Sequence, residues 1–228
     1  MNRLSVFGAE PEWGISFDYI YIDPKEQYAI CSDGYRALLV SMEGIIEKED
    51  KRGIYIAKTL VDSFKPLSEI DLYLLSETCL FSSEIVKNRV YRGSMEKEIK
   101  EEEIGEIIAS FFEERELLME LDSKSIVDLE QELIRISLFM LDSDGKIFCS
   151  FQERGFALNL INNPLKGNWE GRIEGKSEKE CSFTIKLSYL KDLIKVLDKN
   201  KSVKLYDSER LIAFEQGDME GIIAKMEA

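Results

Sequence analysis

The chain resembles itself in two places, and in the same order. "ICSDGYRALLV" (30–40) resembles "FCSFQERGFALNL" (148–160), which aligns Cys31-Ser32 with Cys149-Ser150. "DLYLLSETCLF" (71–81) resembles "VKLYDSERLIAF" (203–214), which aligns Leu72-Tyr73 with Leu205-Tyr206. A helical pattern precedes the second match in each half. Two matches in register read as a duplicated fold of about 110–130 residues per copy. The expected domains are therefore 1–115 and 116–228 of the 228 residues, each a mainly antiparallel sheet structure with helices on one face.

Periodicity fills in the elements. Ile15–Ile22 and Tyr28–Val40 are strand-like and are joined by the turn residues Asp23-Pro24-Lys25-Glu26. Ile54–Ile56 reads as a strand, Ala57–Lys65 as a helix stopped by Pro66, and Ile70–Leu75, Cys79–Phe81 and Ile85–Tyr91 as strands. Between Glu96 and Glu120 glutamate dominates, so this stretch is the candidate interdomain segment and reads as a solvated connector, with Ile104, Ile107, Ile108 and Phe111 at helical spacing inside it as the sign of a helix over part of it. In the second half Ser125–Leu133 reads as a short helix. Ile134–Leu141 and Lys146–Phe151 read as strands around an Asp142–Gly145 hairpin turn. Phe156–Ile161, Cys181–Leu187, a helix at Ser188–Lys199, and strands at Val203–Tyr206, Leu211–Phe214 and Ile222–Met226 complete the order.

Composition narrows the chemistry. The formal charge is −14, so the surface as a whole repels nucleic acid, and any DNA contact requires a local basic face. There is no histidine, which removes the commonest general base and the commonest zinc ligand. No enzyme activity, cofactor or metal is expected. Cys31, Cys79, Cys149 and Cys181 form no C-x-x-C pair and lie in or beside apolar runs, which reads as reduced and buried thiols in a cytoplasmic protein. No apolar run approaches the ~18 residues of a membrane span.

Two motifs fail on inspection. "GRIEGKS" (171–177) is one residue short of a phosphate-binding loop and leads into Glu178-Lys179-Glu180, so it reads as a loop. "DSDG" (142–145) lacks calcium ligands at its outer positions, with Met140 and Phe151 there, and reads as a β-turn. The basic feature that stands out is the helix at Ser188–Lys199. Leu190, Leu193, Ile194 and Leu197 form one stripe, while Lys191, Lys195 and Lys199 lie largely opposite. In the first half Lys58 and Lys65 lie away from Leu60, Val61 and Phe64. Lysines opposite an apolar stripe are ordinary on a surface helix. Their contrast with an acidic chain is what makes them candidates for phosphate contact.

"FDYIYIDPKEQYAICSDGYRALL" resembles the segment of the middle domain of bacterial DNA polymerase sliding clamps that carries T-D-G-H-R-L. The chain end from Phe183 resembles the last domain of those clamps, where a Leu/Lys helix precedes strands and a terminal V-M-P-M-R-L. The resemblance implies an α+β DNA clamp fold of two duplicated domains, without the usual opening helix of the first. It implies a ring around duplex DNA, helices inside, closed as a homotrimer by analogy with two-domain clamps. It also implies a pocket for a short peptide of a polymerase or other replication protein. Its walls would be Ser32, Gly34, Tyr35, Arg36 and Ala37 together with Ile222, Ala224 and Met226. Lys58, Lys65, Lys191, Lys195 and Lys199 would face DNA, with weak, sequence-independent binding. Tyr35 stands where the family has histidine and Ala37 where it has leucine, which reshapes the pocket. The alternative is a clamp-fold interaction module that does not encircle DNA.

Overall fold

Alternation along β1 (Tyr19–Asp23) decides which face of the first sheet is core: Ile20 and Ile22 are buried, and Tyr19 and Tyr21, which alternate with them, are half-buried. The computed structural model describes residues 3–8, 18–47, 53–63, 71–74, 79–82, 89–91, 101–139, 145–160 and 170–226. The chain divides into two compact units, Met1–Ile108 and Ala109–Ala228, within a helix (α2, Glu101–Phe111). No helix among the described residues is long and apolar enough to cross a membrane.

In the first unit β1 pairs antiparallel with β2 (Tyr28–Ser32) and β4 (Ile54–Ala57), and β2 with β3 (Arg36–Ser41), giving the order β4-β1-β2-β3. Ile20, Ile22, Ala29, Cys31, Leu38 and Ile56 are buried on one face. Tyr21 sits opposite Tyr55 on the other face, ring centroids 5.0 Å apart, with Tyr28 at 6.2 Å. A 3-10 turn at Leu4–Phe7 packs on β2 and β3 and buries Leu4 and Phe7. Helix α1 (Lys58–Ser63) follows β4 directly. β5 (Asp71–Leu74), β6 (Cys79–Ser82) and β7 (Arg89–Tyr91) then form a meander.

The second unit contains β8 (Glu116–Leu121), α3 (Ser123–Phe139), β9 (Lys146–Gln152), β10 (Gly155–Leu160) and β11 (Glu170–Glu174). It continues with β12 (Cys181–Lys186), α4 (Leu187–Val196), β13 (Val203–Asp207), β14 (Leu211–Gln216) and β15 (Met219–Ala224). This is one strand-helix-three-strand unit written twice. Each sheet takes three strands from one half and the leading strand of the other: β11-β10-β9-β12 and β15-β14-β13-β8. Helix α3 packs on α4, β11 and β8. It buries Ile126, Leu129, Leu133 and Ile136, a stripe worth about 1.5–3 kcal/mol per side chain.

The order β4-β1-β2-β3, α1, meander matches β12-β9-β10-β11, α4, meander, so the duplication is real. The two sequence matches fare differently. Leu72 pairs with Phe81 as Leu205 pairs with Phe214, so 71–81 and 203–214 are true counterparts. The match of 30–40 with 148–160 is one strand out of step. It lays β2–β3 on β9–β10, whereas the topological counterpart of β2–β3 is β10–β11. A buried cysteine in an alternating strand is a common enough pattern to recur by accident.

Other expectations are corrected. In the glutamate-rich stretch the helical spacing of Ile104, Ile107, Ile108 and Phe111 holds, since Glu101–Phe111 is helix, and Glu116–Leu121 is strand rather than solvated connector. The helix expected at Ser125–Leu133 runs from Ser123 to Phe139 and absorbs most of the expected strand Ile134–Leu141. Asp122 begins it, its carboxylate accepting from the Ser125 N–H at 2.7 Å, a bond that also lowers the Asp122 pKa. The expected Asp142–Gly145 turn lies, but for Gly145, outside the described residues, and β9 pairs with β10 and β12. Part of "GRIEGKS" is strand β11, and Ser177 Oγ donates to the Leu118 carbonyl at 3.0 Å, clipping that segment to β8. Cys31 and Cys149 are free and buried, while Cys181 is half-buried.

Gly155 opens β10 at φ +130°, and a Cβ there would lie 2.0 Å from the Ile173 carbonyl oxygen. Gly155→Ala is expected to lower the unfolding free energy by about 2–3 kcal/mol in urea titration. Burial pushes the Cys31 thiol up from its ordinary 9.0 to about 12. The unfolded thiol therefore ionises first, so stability is complete below pH 9 and falls as pH rises toward 12. Between pH 8 and 10 this thiol should account for a loss of about 1.4 kcal/mol, and Cys31→Ala should remove that part of the pH dependence.

Candidate functional site

The corner between β2 and β3 is built around one buried carboxylate. Asp33 Oδ1 accepts from the backbone N–H of Tyr35 at 2.9 Å and of Arg36 at 3.0 Å. Its Oδ2 accepts from Arg36 Nε at 2.8 Å. Ser32 Oγ donates to the Arg36 carbonyl at 2.8 Å and accepts from the Gly34 N–H at 3.0 Å. Gly34 takes φ +87°, which a side chain resists. The Arg36 guanidinium lies 5.1 Å from the Phe7 ring centroid and donates to the Val6 carbonyl at 3.3 Å. The D-G-Y-R sequence thus makes a rigid turn that also ties down the Leu4–Phe7 turn.

This arrangement sorts the five candidates of the corner. Ser32 and Ala37 are buried, and Arg36 is spent on Asp33, Val6 and Phe7. Gly34 is exposed, and Tyr35 projects outward with 60% of its surface accessible. Any outside partner of this corner meets Tyr35 first. Asp33 was missed as the organiser. Its signal was the Asx-turn preference of Asp before Gly, with an arginine three residues on.

The candidates near the chain end sit on and after β15. Ile222 is buried opposite Ala213, and Ala224 is half-buried opposite Leu211. Met226 lies past the strand and donates its backbone N–H to the Thr184 carbonyl at 2.8 Å. Between them Lys225 reaches a buried Asp207, Nζ to Oδ1 2.6 Å, and lies over the Phe183 ring. Ala224 and Met226 are the half-buried members of this set.

The lysines divide as well. Lys58 is 6% exposed, its Nζ 3.0 Å from Asp62, so it is a core lysine and presents no ammonium outward. Lys65 lies outside the described residues. Lys191 is half-exposed on α4. Lys195 pairs with Asp192 at 2.6 Å. Lys199 is not on the helix, which ends at Val196. It sits in a turn held by the buried Gln216 side chain, and its Nζ contacts Glu130 of α3 at 2.6 Å. Both pairs are solvent-exposed, so each is worth at most about 1 kcal/mol and opens readily.

One feature of α3 had no counterpart in the sequence expectations. Its outer side exposes Val127, Ile134 at 57%, Leu138 at 78% and Phe139, in addition to the core stripe. No group of acidic or cysteine side chains among the described residues could hold a metal ion.

Asp33→Ala should leave the Arg36 guanidinium buried without its counter-charge. It is expected to destabilise the protein by about 3 kcal/mol in urea titration, with Asp33→Asn, which keeps an acceptor, costing less.

No protein-family model and no curated protein matches the chain by sequence. Solved structures do match. The DNA polymerase III subunit beta of Borrelia burgdorferi, solved with a natural product, aligns over 99% of this chain and 60% of its own, with TM-score 0.80 and 14% identity. The Pseudomonas aeruginosa sliding clamp bound to griselimycin aligns over 100% and 62%, with TM-score 0.79 and 13% identity. The Caulobacter crescentus pol III beta aligns over 100% and 63%, with TM-score 0.77 and 11% identity. The chain spans about three fifths of the length of the structures it matches. Its fold is the α+β sliding-clamp fold.

Proposed function

From the sliding-clamp fold as premise, we propose that this protein is a clamp-type processivity or tethering factor without catalytic activity of its own. It forms a homo-oligomeric ring around duplex DNA, a trimer by analogy with two-domain clamps, from domains 1–115 and 116–228. It holds a polymerase or other replication protein through a short peptide. The observation that carries this reading is a TM-score of 0.80 over 99% of the chain. Lys191, Lys195 and Lys199 are the residues that meet phosphate, the last two by exchanging exposed carboxylate partners. A topologically linked ring needs no tight DNA contact, so an acidic chain is compatible with it. Tyr35 and Gly34 in the first unit, and Ala224 and Met226 in the second, are the accessible residues for partner peptides.

A second reading, an interaction module that does not encircle DNA, is favoured by α3, whose outer side offers Ile134 and Leu138 where a DNA-lining helix needs cations. The two readings separate on closed circular duplex DNA. A ring is retained on the circle and released when the circle is cut, with light scattering giving three chains per particle. A monomer that never stays on the circle overturns the ring. For the peptide site, Tyr35→Ala should weaken binding of a peptide with leucine and aromatic anchors about tenfold by fluorescence anisotropy, with unfolding free energy unchanged.

A further inference from the structure

A helix that is apolar on two sides has two neighbours to satisfy. The inner side of α3 has its neighbours in Ile126, Leu129, Leu133 and Ile136, all buried. On the outer side Val127, Gln131, Ile134 and Leu138 succeed one another at intervals of four, three and four residues and are all exposed. That is the spacing of a coiled-coil seam, with the polar Gln131 at one of its positions. Asp128 and Arg135 border the seam on the same flank, one heptad apart. Glu132 is the only carboxylate bonded to Arg135 among the described residues, and that pair is exposed.

The charges identify the occupant. Turn a second α3 end for end against the first, so that Val127 meets the partner's Leu138 and Gln131 meets the partner's Ile134. Asp128 then falls beside the partner's Arg135, and the two-fold axis repeats the pair. The same patch is thus self-complementary in both apolar spacing and charge, as a two-fold interface requires. We infer that the outer side of α3 docks antiparallel against α3 of a second copy of this chain. The pairing covers α3 with protein, so it rests on the second reading above.

Sedimentation equilibrium of the full chain tests it. A concentration-dependent dimer is expected, weakened at least about tenfold by Leu138→Glu, with circular dichroism showing the fold intact. Asp128→Lys or Arg135→Glu alone should weaken it, since each sets like charges side by side, and the double variant should regain most of the loss. A monomer throughout, a dimer indifferent to Leu138→Glu, or a double variant no better than the singles overturns the pairing. Retention of the protein on closed circular DNA overturns the second reading instead, whatever the sedimentation result.

Discussion

The exchange of leading strands organises the second unit. β8 pairs with β13 and β12 with β9, so neither half of the unit completes a sheet without the other's first strand. Backbone hydrogen bonding enforces this, because a strand edge left unpaired inside the unit would bury unsatisfied N–H and C=O groups. The exchange sets α3 and α4 side by side and brings Lys199 to Glu130. Through it one lysine that follows the basic helix meets a carboxylate of the acidic one.

In the first unit the same economy operates at one residue. Asp33 closes the β2–β3 turn, neutralises Arg36, and through Arg36 holds the Leu4–Phe7 turn over the sheet. Arg36, expected to wall a peptide pocket, thereby ties Asp33 to the Leu4–Phe7 turn. Functional motifs carried over by resemblance name positions, whereas exposure decides which side chains are available, and here Tyr35 is an exposed one.

Much of the fold was legible. The strands in Tyr19–Ser41 and Lys146–Leu160, the helix after Lys186 and the final meander follow from alternation and from the helical apolar stripe. What failed shares a cause. Ile134–Leu141 read as a strand because an apolar outer side on α3 hides the helical period behind a nearly continuous apolar run. β11 was missed because its short alternation, Gly171-Arg172-Ile173, resembles a charged loop. The false alignment of Cys31 with Cys149 shows that local likeness between alternating strands carries little register information, since any two such strands match at a shift of two.

The sequence by itself determined the class: antiparallel strands with helices, two related halves, no histidine chemistry, and residues resembling those of sliding clamps. Those properties are local, written in periodicity and residue type. Tertiary structure alone decided that Lys58 is buried, that Lys199 meets Glu130 of α3, that Arg36 reaches Val6 and Phe7 and that α3 presents Ile134 and Leu138 outward. Burial and the pairing of distant residues depend on which segments meet in space, and no spacing along one segment contains that information.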